Sequence, residues 1–278
     1  MTTAAPAAEL RFPDFLCIGA QKAGTSWLHA NLRRHPGVWM PWIKELQYFN
    51  DVHLPGHRGW TARHRTTHAD AAARRLVREA GEGPLDLAAL HRITSIAIEP
   101  LSDEWYGGIF AHAQPDQICG EVTPAYGLLP RAGIEHVRRL NPRMKVILLL
   151  RDPVARCWSQ LRMLGRGQED FDYMAAASQP EVLARADYPR IVEGWSAVFG
   201  RENMLIRKIE DISGDVEGFL RELAGFLGVP WHEALGRNAG VPVFVGPEVS
   251  LPGTVAVRLR EKLAPIYDRM GGYEAYHA

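Results

Sequence analysis

Twice in this chain a short apolar run reaches a turn and restarts as a helix, with a cationic side chain at the turn. The first unit is FLCIGAQKAGTSWLHANL (15–32) and the second is VILLLRDPVARCWSQL (146–161). Continuous apolar strands of this kind belong at the centre of a parallel sheet, and such sheets bind ligands beyond their carboxyl ends. Apolar periodicity extends the pattern along the chain. Strands are expected at 14–19, 38–40, 118–122, 145–150 and 204–209. Helices are expected at 25–34, 69–79, 103–113, 131–140, 154–164, 191–199, 216–227 and 255–270. Loops are expected at 51–68 and 124–130, and a Gly/Pro-rich one at 238–253. Strands alternating with helices imply an α/β fold with a central parallel sheet.

The chemistry of the first turn departs from that of an ATP-binding loop. Gly19 and Gly24 keep the spacing of G-x-x-x-x-G-K-[ST], and Ser26 fills the last position. Thr25 replaces the lysine, and Lys22 stands three residues earlier. The backbone N–H groups of Ala23, Gly24, Thr25, Ser26 and Trp27, at the positive end of a helix, suit a phosphate. Lys22 projects from the turn itself, toward an atom bridging that phosphate and a transferable group. In the second unit Arg151 ends the strand, placed for two-pronged pairing with a phosphate. Ser159 lies about two helical turns on and offers a hydroxyl. Taken singly, the first unit also reads as a ligand-free strand–helix turn, and Arg151 as the ion-pair partner of Asp152. Together they point to one ligand with two separated anionic groups. Asp152 is the only strand-end acid and is followed by proline, so no Mg²⁺ motif stands beside the loop and no metal is expected.

Composition narrows the function classes. Lys+Arg and Asp+Glu are both 32, which leaves no global charge for nucleic acid or an anionic membrane. Only five basic residues are lysine, Lys22, Lys44, Lys145, Lys208 and Lys262, so two lysines near the first loop stand out. Cys17, Cys119 and Cys157 lie in separate apolar stretches and read as buried thiols. The N-terminus lacks the basic and apolar regions of a signal peptide, and apolar runs such as 146–150 fall far short of a membrane span. A soluble, cytoplasmic protein is expected, folded as one domain over 1–278 with 1–11 flexible.

GAQKAGTSWL and LLRDPVARCWSQ resemble the 5′-phosphosulfate loop and the 3′-phosphate motif of the sulfotransferases that use 3′-phosphoadenosine 5′-phosphosulfate (PAPS). RHPGVWMPWIKELQYFND (34–51), DEWYGGIF, GEVTPAY and GFLGVP are similar to segments of the branch that contains the heparan sulfate enzymes. A bacterial member of that branch is expected from the Arg-rich, Lys-poor usage. The resemblance covers roughly 12–230. It implies a three-layer P-loop-like α/β fold and transfer of a sulfuryl group, without a metal, from PAPS to a hydroxyl or, less readily, an amine. The product would be 3′-phosphoadenosine 5′-phosphate (PAP), and the acceptor a sugar or secondary metabolite. It also implies that the backbone over 22–27 holds the 5′ end, that Lys22 stabilises the leaving phosphate and that Glu45 is the base. Lys44 either points at the sulfonate or faces solvent. Val122 stands where the branch often has lysine, and 238–253 lacks the basic residues that close the cofactor site in relatives. Arg237 or Arg258 is the substitute considered.

Three further expectations stay open on sequence grounds. A histidine base at His53, His57 or His112 would replace Glu45. Trp39, Trp42, Tyr48, Phe49 and Trp60 would form either an acceptor platform or ordinary core. The competing functions are an ATP-dependent small-molecule kinase and a nucleotide-binding protein without catalysis.

Overall fold

The computed structural model describes residues 10–237, 239–241, 249–274 and 276. Five parallel strands form one sheet in the order β2–β3–β1–β4–β5: β1 (Phe15–Gly19), β2 (Val38–Trp39), β3 (Ile118–Val122), β4 (Lys145–Leu150) and β5 (Met204–Lys208). Helices flank it, giving the expected α/β fold. β1 is central because all five of its residues are apolar or small and buried. Val146–Leu150 of β4 are at most 2% exposed, and burying each such side chain contributes about 1.5–3 kcal/mol. Close pairing of β1 with β3 depends on Gly120. A Cβ there would stand 2.2 Å from the Phe15 ring, so any side chain would push the strands apart.

This strand order places the site. From β1 the chain goes out to β2 at the edge and returns through β3 on one side, then crosses to β4 and β5 on the other. The turns after β1 and β4 therefore lie side by side at the carboxyl edge, where such sheets leave a crevice.

Helix α1 (Thr25–Leu32) follows β1, and α2 (Tyr48–His53) follows β2. The structure then corrects the expected loop over 51–68. α3 (Arg58–Ala80) is a single 23-residue helix, paired with an unexpected α4 (Leu87–Ile98). The buried face of α3 is Thr61, Arg65, Ala69 and Ala72. These have helical spacing but no large apolar side chain, so hydrophobic periodicity does not reveal where the helix begins. α5 (Asp103–Phe110) is capped by the Ser102 hydroxyl. α6 (Arg131–Leu140) precedes β4, and α7 (Pro153–Leu164) follows it. Later helices include Tyr188–Phe199, Val216–Leu227 and Gly253–Met270. β5 stops at Lys208, and Ile209 opens a short helix to Gly214. All three cysteines are buried and unpaired. Among the described residues no helix is long and apolar enough to cross a membrane.

Candidate functional site

One cavity of about 690 Å³ opens at the carboxyl edge of the sheet. Its walls include Lys22, Gly24, Thr25, Ser26 and Trp27 from the first turn, Arg151 and Ser159 from the second, and Lys44 and Glu45. The turn is shaped by backbone conformation. Gly24 has φ 86° and caps α1, and a Cβ on it would stand 2.8 Å from Ile209 Cδ1. No side chain caps α1, so the N–H groups of its first turn remain available to an anion. Ala23 differs from expectation. It is fully buried, and its N–H donates to the Ala20 carbonyl at 3.1 Å, so it supports the loop instead of facing the cavity.

The two turns are joined directly. One Arg151 Nη donates to the Lys22 carbonyl at 3.1 Å, and Arg151 is held from behind by the Tyr188 hydroxyl, which donates to its carbonyl at 2.7 Å. The alternative ion pair with Asp152 does not form. Asp152 instead caps α7, accepting from Ala155 N–H at 2.8 Å, with Pro153 in the first helical position. Lys22 lies among cations. Burial, with Arg151, Arg166, Arg162 and Lys44 nearby, holds its ammonium below the usual lysine range.

Glu45 occupies the loop between β2 and α2. Ile43 and Leu46 are buried in the core, which turns the two charged residues between them toward the cavity. Lys44 pairs with Glu45 Oε1 and does not face solvent, its side chain being 17% exposed. Gln47 Nε2 donates to Oε2 at 2.8 Å. Each carboxylate oxygen keeps a further lone pair for another donor. Burial pushes the Glu45 carboxyl up. Lys44, His64 and Arg185 more than offset this and hold it below the ordinary glutamate value. Among the described residues the non-glycine positions with positive φ are Lys22 (73°), Glu45 (66°) and Gln47 (61°). Such conformations cost about 1–3 kcal/mol each and persist where surroundings impose them, commonly at functional sites.

Gln47, His64 and Arg185 have no sequence signal that ties them to Glu45. His64 reaches the loop from α3, donating to the Lys44 carbonyl at 3.3 Å. The histidines considered as bases lie elsewhere: His53 against His136, His57 against Asn50 and Trp60, and His112 against Trp42. Tyr48 and Phe49 are core residues, packed on Tyr106 and Tyr126. Trp39 and Trp42 form a cluster with Phe110 and His112, and Trp60 packs on His57 and His64. Val122 is buried in β3. Arg237 and Arg258 pair with Glu233 and Glu261 on the surface and do not line the cavity. Of the expected loop 238–253, positions 238 and 242–248 lie outside the described residues. Ala239 and Gly240 border the cavity, and the Trp27 indole N–H donates to the Ala239 carbonyl at 2.6 Å.

A profile of the sulfotransferase family matches residues 13–233. The "Membrane-associated sulfotransferase kil1" of Dictyostelium discoideum is 28% identical over 151 residues, 54% of this chain. The match spans 23% of that relative's length. A crystal structure of a sulfotransferase from Alicyclobacillus acidocaldarius superposes with TM-score 0.64 at 21% identity over 94% of both chains. The sulfotransferase domain of the Synechococcus PCC 7002 olefin synthase gives TM-score 0.59 at 20% identity, covering 95% of this chain and 98% of that one. At these identities the structural matches speak for the fold.

Proposed function

Because the chain belongs to the sulfotransferase family, we propose that it transfers a sulfuryl group from PAPS to a hydroxyl of a small-molecule acceptor, a sugar or a secondary metabolite. The observation that carries this is the shared cavity: Lys22, Arg151, Lys44 and Glu45 border one space of about 690 Å³. The donor set fits an elongated nucleotide with an anionic group at each end. The uncapped start of α1, the turn opened by Gly24 and Lys22 suit a phosphosulfate, and Arg151 with Ser159 suits a second phosphate. Bound there, PAPS supplies an activated sulfuryl group whose departure leaves PAP.

This chain's residues then have separable tasks. The Gly24–Trp27 backbone and Arg151 orient the nucleotide. Lys22 neutralises charge that develops on the departing phosphate oxygen, the kind of fixed electrostatic stabilisation that dominates such transfers. Glu45 takes the proton from the acceptor hydroxyl, a contribution of about 10²–10⁴-fold in well-placed acid–base catalysis. Lys44 and Gln47 hold its carboxylate in line.

The test is incubation with PAPS and a pool of monosaccharides, phenols and alkanols, read by mass spectrometry. A gain of one sulfonate with stoichiometric PAP is expected. Lack of affinity for PAP, or a Mg²⁺-dependent transfer from ATP, would overturn the proposal.

A further inference from the structure

The mechanism above leaves one buried acid without a task. Glu121, next to last in β3, is 1% exposed, and none of its hydrogen-bond partners is a cation. Four donors surround it. Leu46 N–H donates to Oε1 at 2.9 Å, Tyr126 O–H to the same oxygen at 3.0 Å, Tyr106 O–H to Oε2 at 2.7 Å, and the Thr123 hydroxyl also to Oε1. Burial pushes its carboxyl above the ordinary glutamate value, and these donors counter part of that shift. Burying an acid costs several kcal/mol unless donors compensate it, and a core of aromatic side chains needs no acid to pack.

The donors show where the acid acts. Leu46 lies between Glu45 and Gln47, the two left-handed residues of the loop. Tyr126, while donating to Glu121, accepts the N–H of Tyr48 at 3.0 Å. The backbone N–H groups on both sides of Gln47 are therefore tied, one directly and one through a single hydroxyl, to the same carboxylate. A left-handed pair has little intrinsic preference to stay in place, and these two tethers fix it.

We infer that Glu121, with Tyr126 as its relay, is the positioning residue that holds the Glu45 loop in its left-handed geometry and so sets the aim of the Glu45 carboxylate. This rests on Glu45 being the base. A displacement of about 1 Å at a reacting group costs on the order of 10²-fold in rate, so a loose loop would affect turnover and leave the nucleotide cradle untouched.

Glu121→Gln puts an amide donor where hydroxyls already donate. Tyr126→Phe removes only the relay, which keeps the test usable if the first variant folds poorly. Both are expected to lower kcat for PAP release from PAPS with the hydroxyl pool by about 10–100-fold. PAP affinity by calorimetry should stay within about twofold. Amide exchange at Leu46 or Tyr48 should rise about tenfold or more, with the β1 amides unchanged. The double variant Glu45→Gln/Glu121→Gln should be no slower than Glu45→Gln alone, because the two act on one function. Wild-type kcat and exchange in both single variants, or additive losses in the double variant, would overturn the inference. If Glu45→Gln itself turns over normally, the base assignment fails instead, so the two failures are distinct.

Discussion

Replacing Arg151 with alanine tests the two-ended grip on the nucleotide. Arg151 is half-buried, one Nη is committed to the Lys22 carbonyl, and the residue lines the cavity together with Ser159. Charge-assisted hydrogen bonds contribute about 1.5–3 kcal/mol net, which corresponds to about 10–150-fold in Kd. Partial solvent access favours the lower half of that range. The lost bond to Lys22 is a separate effect of about 1 kcal/mol, enough to lower Tm by about 2–4 °C in a domain of this size. It would weaken every ligand of the first turn alike. Calorimetry with PAP and with AMP, which lacks the 3′-phosphate, separates the two effects. Wild-type protein should prefer PAP over AMP by at least tenfold, and Arg151→Ala should abolish most of that preference. Equal losses for PAP and AMP would mean that Arg151 only braces the Lys22 loop. An unchanged PAP affinity would remove it from the site altogether.

Glu45→Gln is expected to lower turnover by about 10²–10⁴-fold while leaving PAP affinity intact. Because Lys44, His64 and Arg185 hold the Glu45 carboxyl below its ordinary value against the pull of burial, it stays ionised down to mildly acidic pH. The acidic limb of kcat should fall only as pH drops through that depressed value, and Lys44→Ala should move the limb to higher pH; an unmoved limb would refute the assignment. Gly24→Ala must adopt φ near 86° and bring a Cβ to 2.8 Å from Ile209 Cδ1. The left-handed conformation alone costs about 1–2 kcal/mol, so both Tm and PAP affinity should drop, whereas a neutral outcome would show that the turn is not constrained. Burial, aided by Lys44 and Arg33, lowers the buried His29 imidazole from 6.5 to about 3. The unfolded chain therefore takes up a proton that the folded one refuses: the stability is complete above 6.5 and is lost as pH falls toward 3. His29→Leu should shift the acid-unfolding midpoint, followed by circular dichroism, to lower pH, and an unchanged midpoint would remove His29 as a cause.

What could be read from the sequence was what one segment encodes by itself. β1 and β4 announce themselves as apolar runs, and the turns after them carry their own Gly24, Lys22 and Arg151. Asp152-Pro153 is a helix start written in two residues. The first half of α3 is not legible in the sequence because its buried face is Thr61, Arg65, Ala69 and Ala72. α4 carries a local signal of its own, since Asp86 caps it and Ala89, Ile93 and Ile96 recur at helical spacing. Glu45 was reached through a resemblance and not from its own surroundings. Those surroundings come from separate parts of the chain: Gln47 from the loop itself, His64 from α3, Arg185 from beyond α7 and Glu121 from β3. Only the sheet order brings them together, and nothing in local periodicity encodes that order.

The distribution of strain and charge explains why these residues need such support. Lys22, Glu45 and Gln47 hold left-handed conformations that asparagine or glycine would take at lower cost. Lys22 also sits within reach of four other cations, in a chain whose formal charges otherwise balance. Both features oppose folding, and the buried neighbours of the loops impose them. A polyanionic ligand relieves the second. Arginine suits the strand end, where a planar fork matches a fixed phosphate. Lysine suits the turn, where a compact charge on a flexible stem can follow an oxygen as its bond breaks. The task proposed for Lys22 therefore accounts for a lysine at the turn of a chain that has only five, while Lys44 is committed to Glu45.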